Sequence, residues 1–187
     1  MNISGTTIAD LAVLGVVQRS SVQPDHIRSA VKGMFPDEWL PTAGVVDAAV
    51  ERAVSAGHLT IRQSGSLETT IGTTDAGRAQ FRALLLTDPG DALSPAVRAL
   101  EAMQFCFLDL ADTRTARKVL NRIRRRTKQR LAALRRRTQQ CPHAGRYASL
   151  WISMETRRLE TSAQLINLVC SDVEHEVQNS ASTGSVS

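Results

Sequence analysis

Aromatic side chains are scarce in this chain: two Trp, one Tyr and four Phe among 187 residues. That scarcity argues against a binding platform of stacked rings. Long apolar runs are missing as well. Met1 to Asp10 has no basic start, and Leu11 to Val17 is too short for a targeting core or a membrane span. The expectation is a cytoplasmic protein with no signal peptide and no membrane partner. Cysteine is sparse: Cys106, Cys141 and Cys170 are odd in number and unpatterned, which reads as reduced thiols. Cys141-Pro-His143 offers two metal-ligand types where a closed site needs four, and no second pair lies at ligand spacing. Neither metal nor cofactor is expected. No Ser/His/Asp order, carboxylate pair or Gly-rich phosphate loop suggests an enzyme.

The last absence is local. From residue 114 to 137 there are twelve Lys or Arg and not one acid. Residues 1–90 lean the other way, with seven Lys or Arg against nine Asp or Glu, a net of −2. The formal charge of +5 thus belongs to one segment.

What is present begins with three short helical patterns. Thr6 to Gln18 carries Ile8, Leu11, Leu14, Val16 and Val17, a helix buried on more than one side. Pro24 suits the first position of a helix running over Asp25–Lys32 and stopping at Gly33. Pro36 and Pro41 bracket a loop. Thr42 to Gly57 then reads as a helix with a Thr cap and a glycine stop. His58–Gln63 and Leu67–Gly72 are short and β-prone, and Ser64-Gly65-Ser66 between them suits a hairpin turn. Thr74-Asp-Ala-Gly-Arg78 caps the next helix. Three helices and a hairpin within about eighty residues is the plan of a winged helix-turn-helix, whose third helix normally enters the DNA major groove.

The rest is helical. Thr87–Asp91 reads as a linker. Leu100, Met103, Phe107 and Leu110 keep a 3-4-3 spacing, and Leu120, Ile123, Thr127, Leu131 and Leu134 continue it after a stop near Asp112. Pro142–Gly145 breaks the pattern again. Beyond it Ile152, Leu159, Ile166 and Val173 recur every seven residues, a stripe expected to pack on another helix. Helices this long on so small a body are expected to form a homodimer interface through those four residues. The fold class expected is mainly α with a small β-hairpin wing. The divisions are a winged helix-turn-helix domain at 1–88, a helical dimerisation domain at 92–177 and a disordered, Ser-rich tail at 178–187.

Taken in order, these elements resemble the PadR family of bacterial transcriptional regulators from about residue 7 to 175. Leu11-Ala-Val-Leu-Gly-Val-Val resembles the opening helix. Thr42-Ala-Gly-Val-Val through Ser55-Ala-Gly-His-Leu59 resembles the recognition helix, typically Pro-Gly-Thr-Ile-Tyr ending in Glu-Gly-Leu. Thr74-Asp-Ala-Gly-Arg78 is similar to the family's Thr-Glu-Glu-Gly-Arg, and Phe105-Cys-Phe-Leu-Asp-Leu with the late Trp-containing helix is similar to its dimerising region. Asp47 stands where the family has Tyr. The second helix reads Gln-Pro-Asp-His-Ile where His-Gly-Tyr-Glu-Ile is common, and the second strand of the wing lacks the usual basic and aromatic residues.

The resemblance implies a homodimeric regulator of double-stranded DNA, most simply a repressor. Its DNA surface would comprise His26, Arg28, Lys32, Thr42, Arg52, Thr60, Arg62, Ser64 and Ser66. By position in the family, Trp151 with Phe107 and Met154 would line a small-molecule effector pocket, against the plainer alternative of core or interface packing. Arg122, Arg124, Arg125, Arg126 and Lys128 form an auxiliary anion-binding group, for flanking DNA or for an acidic protein partner. The alternative to a DNA reader is an interaction protein that meets such a partner through the Arg-rich helix.

Overall fold

The computed structural model describes residues 4–35, 41–64, 68–90, 94–140 and 145–183. The first helix, α1 (Gly5–Arg19), starts where the Ser4 hydroxyl accepts from the Thr7 amide, and it is buried almost throughout from Ile8 to Val17. A helix apolar all round needs neighbours on every side. It has them: α2 (Pro24–Met34), α3 (Ala43–Ser55), α4 (Asp75–Leu86) and α5 (Pro95–Cys106) all pack on it. Pro24 occupies the N-terminal turn of α2, as expected. The loop bracketed by Pro36 and Pro41 lies outside the described residues.

After α3 the chain turns at Gly57, whose φ of 71° is the left-handed conformation that favours glycine. Strands β1 (Leu59–Ser64) and β2 (Glu68–Thr73) then pair antiparallel, with Ile61 opposite Ile71 and Arg62 opposite Thr70. The turn at 65–67 lies outside the described residues. The sequence alone did not suggest what holds this hairpin. Val22, between α1 and α2, exchanges two backbone hydrogen bonds with Ile71, at 3.0 and 2.8 Å. Thr74 caps α4 through its hydroxyl, which accepts from the Gly77 amide and donates to the Gly57 and His58 carbonyls. Gly77 is required there, because a Cβ would overlap the His58 carbonyl. The architecture is a winged helix-turn-helix, mainly α with one small hairpin.

The chain divides into two compact units, Met1–Thr115 and Ala116–Ser187. The first runs past the linker at Thr87–Asp91, where the sequence predicted a boundary. Three contacts explain why. Gln104 of α5 donates to the Leu84 and Thr87 carbonyls, satisfying the exposed end of α4. Arg19 forks onto Asp109 at 2.7 and 3.0 Å. Phe107 lies fully buried with its ring directly over Gly15, and it meets Phe81 edge-on at 6.0 Å. Leu100 and Met103 are likewise fully buried, so this stripe is spent inside the chain.

Asp112 begins α6 (Thr113–Gln140), accepting from the Thr115 amide at 2.9 Å and its hydroxyl at 2.8 Å. Those bonds, with Arg82 close by, hold its carboxyl below the usual aspartate range. In the second unit α7 (Arg146–Thr183) runs antiparallel to α6. Arg135 pairs with Glu160 at 2.6 Å, and Arg124 and Lys128 lie close enough to Cys170 for their charge to act on its thiol. α7 stays helical through Thr183, so residues 178–183 continue the helix rather than forming the irregular tail predicted there; no glycine or proline interrupts them before Gly184.

Candidate nucleic-acid interface

α3 buries Val46, Ala49 and Ala53 against the core. At 100° per residue, the opposite side of the helix carries Gly44, Ala48, Glu51 and Ser55, flanked by Asp47. That outward face is small and acidic, without a cation. Thr42 stands at the N-cap position with its hydroxyl exposed and making no cap hydrogen bond. Nothing lies within 4 Å of the place a Cβ would occupy on Gly44. A polyanion can therefore approach the start of α3 closely, but its middle repels phosphate.

The arginines nominated for base contact are already engaged. Arg28 of α2 grips Asp47 of α3 through two nitrogens, at 2.6 and 3.0 Å, and reaches Asp25 at 3.0 Å. The hydrogen bond and charge of Asp47, with Asp25 adding less, hold its guanidinium proton more tightly than usual. Arg52 turns back toward α1 and pairs with Asp10 at 2.5 Å. Arg19, Arg78 and Arg82 pair with Asp109, Asp75 and Asp112. Of the seven cations in residues 1–90, only Lys32 and Arg62 have no ion pair among the described residues. Both are exposed, Lys32 in the last turn of α2 and Arg62 on β1. His26 is exposed on α2 and Thr60 half-buried on β1. Ser64 ends β1 opposite Glu68, and Ser66 lies outside the described residues.

The basic group on α6 is divided by burial. Arg126 is only 5% exposed and so is withdrawn from any surface partner, which corrects its assignment as an anion contact. Arg122 and Arg124 are half-buried, the latter donating to Asn121 at 2.7 Å. Arg125 and Lys128 are exposed.

On α7 the residues of the seven-residue repeat are partly covered within the chain. Ile166 is buried and Ile152, Leu159 and Val173 are half-buried, on the flank that holds Cys170 and sends Glu160 to α6. What α7 leaves outward is a second apolar stripe, Tyr147, Leu150, Met154, Leu165 and Leu168, each more than half exposed, with Trp151 beside it. Its 3-4-11-3 spacing is less regular than the seven-residue repeat. Trp151 and Met154 are therefore surface residues, while Phe107 is core and no effector contact. The Cys141-Pro-His143 group lies outside the described residues. Among the described residues there is no group of three or more His, Cys, Asp or Glu suited to a metal, and no helix long and apolar enough to cross a membrane. An apolar groove of about 270 Å³ opens between α1, Val45 of α3 and α5, and its lining carries no titratable side chain.

No known family model and no curated protein matches the chain. Among solved structures it is similar to Bacillus subtilis PadR in complex with p-coumaric acid, at 12% identity and a TM-score of 0.41, over 90% of this chain and 97% of that one. It is similar to a PadR-like transcriptional regulator from Bacillus cereus, at 15% identity and a TM-score of 0.40, over 90% and 99%. The third likeness is to Bacillus subtilis PadR in complex with operator DNA, at 13% identity and a TM-score of 0.38, over 88% and 98% of the two chains.

Proposed function

We propose that this chain is a PadR-like transcriptional regulator that binds double-stranded DNA as a homodimer, through the winged face of its first unit. The observation that carries this reading is the position of α3: one side is buried against α1, the other is open to solvent, and a hairpin tied to Val22 stands next to it. A helix held that way is presented as a rigid body to a groove. Lys32 and Arg62 supply phosphate contacts, and the small outward side chains of α3 allow close approach. Repression follows most simply, by occlusion of a promoter. An effector lodged between the two copies near Trp151 and Met154 would act by altering the separation of the two winged faces.

The homodimer rests on the outward stripe of α7, since large apolar side chains left this exposed call for a partner. A second copy offers the same stripe for isologous packing. A second reading has its own support. Five of seven cations in residues 1–90 are neutralised within the chain, which favours weak DNA reading and an acidic protein partner for α6.

Fluorescence anisotropy with a labelled duplex from upstream of the chain's own gene, against its scrambled counterpart, separates the two. A regulator prefers the native duplex by at least about tenfold at moderate salt. Equal affinity for both would sink the DNA-reading proposal.

A further inference from the structure

Among the described residues, the outward face of α6 is a strongly charged surface that the winged reading does not use. At 100° per residue, Arg117, Lys118, Arg125, Lys128 and Arg136 fall within about a third of the helix circumference, opposite the buried Ala116, Leu120, Ile123 and Thr127. All five are exposed. None has an ion pair among the described residues, whereas Arg135 beside them is held by Glu160. From Arg117 to Arg136 the stripe is about 29 Å long, a little under one turn of duplex DNA.

We propose that this stripe is a second nucleic-acid surface, one that grips the phosphate backbone of a duplex without reading its sequence. It rests on the reading of the chain as a DNA-binding protein. Three features select the ligand class. The cations stand on a single long helix, so the spacing of their backbone positions is fixed before binding. Between them the face carries Asn121, Gln129 and Ala132, with no aromatic, Met or branched aliphatic residue. A folded protein partner needs such anchors at the centre of its interface, whereas phosphate needs only charge and donors. With no ring on the stripe, single strands have nothing to stack on, and the duplex is favoured. Three of the five are arginines, whose forked donors suit phosphate oxygens. The winged unit supplies few free cations, so α6 would contribute most of the salt-dependent affinity.

The test uses the full chain and a short duplex of unrelated sequence, titrated across a series of salt concentrations. The variant replaces Arg117, Lys118, Arg125, Lys128 and Arg136 by Gln, all at exposed positions. The slope of log affinity against log salt should become shallower by about 4 to 5, at about 0.9 for each phosphate no longer neutralised. The smaller Arg125→Gln/Lys128→Gln variant should flatten the slope by about 2 and keeps the test valid if the larger one melts early by circular dichroism. An unchanged slope overturns the proposal. So does loss of binding to poly-L-glutamate with the duplex still held, the outcome expected of an acidic-protein surface. The preference for the native upstream duplex over its scrambled form should survive in both variants. If the unsubstituted chain lacks that preference, the regulator reading fails, while the slope still decides the role of α6.

Discussion

Asp47 stands on the third helix, beside the face proposed to meet DNA, and it spends its charge on Arg28. The pair is bidentate and half-exposed, and it links α2 to α3. An exposed pair of this kind adds little to fold stability, because solvent screens it. Its larger effect is electrostatic: an anion sits beside the exposed face of α3, and an arginine is withheld from any phosphate that approaches. Asp47→Asn should therefore tighten binding to the upstream duplex by about fivefold to tenfold at low salt, and by less as salt screens the charges. Anisotropy at two salt concentrations measures this, and unchanged or weaker binding by D47N would show that the pair does not restrain DNA contact. Pairing of this sort was the least legible feature of the sequence. Arg28 and Arg52 have the right residue type in the right elements, but Asp47 lies 19 residues beyond Arg28 and Asp10 lies 42 before Arg52. Only the packing of α1, α2 and α3 reveals that these carboxylates reach them first.

At the scale of elements, the winged domain was almost fully written in local signals. The proline at the start of α2, the left-handed Gly57 and the Thr74 cap each fix a boundary by their own chemistry. The assignment of α5 was not legible, because an apolar stripe shows that a helix is covered but not by what. Phe107 answers that by sitting over Gly15, where a Cβ would lie 2.5–2.6 Å from three ring carbons. Gly15→Ala should cost about 1–3 kcal/mol by overpacking, read as a lowered midpoint in thermal or urea unfolding. Gly15→Ala with Phe107→Leu should recover part of that stability. If the double variant melts no higher than G15A alone, the ring is not what the glycine accommodates. The same ambiguity holds for α7, where the regular seven-residue stripe is buried at Ile166 and half-buried at Ile152, Leu159 and Val173, while a less regular stripe is exposed.

For the whole molecule, the two units carry opposite tendencies: a winged unit whose cations are mostly neutralised, and a helical unit with free charge on α6 and free apolar surface on α7. The apolar surface predicts self-association. Leu150→Glu with Met154→Glu should convert a dimer to a monomer in light scattering coupled to size exclusion, with little change in helix content because both side chains are more than half exposed. An unaltered mass would place the dimer contact elsewhere. A monomeric variant should also bind the upstream duplex more weakly, since two linked reading heads gain from effective concentration.

The central claim is that the winged face is where this chain meets DNA, with Lys32 and Arg62 as its free cations. The most direct measurement is the affinity of a Lys32→Gln/Arg62→Gln variant for the native upstream duplex, beside that of an Arg52→Gln control. The account predicts a drop of at least about tenfold for the double variant and near-unchanged affinity for R52Q, whose arginine is directed at Asp10. Unchanged binding by K32Q/R62Q, or an equal drop in R52Q, would contradict it.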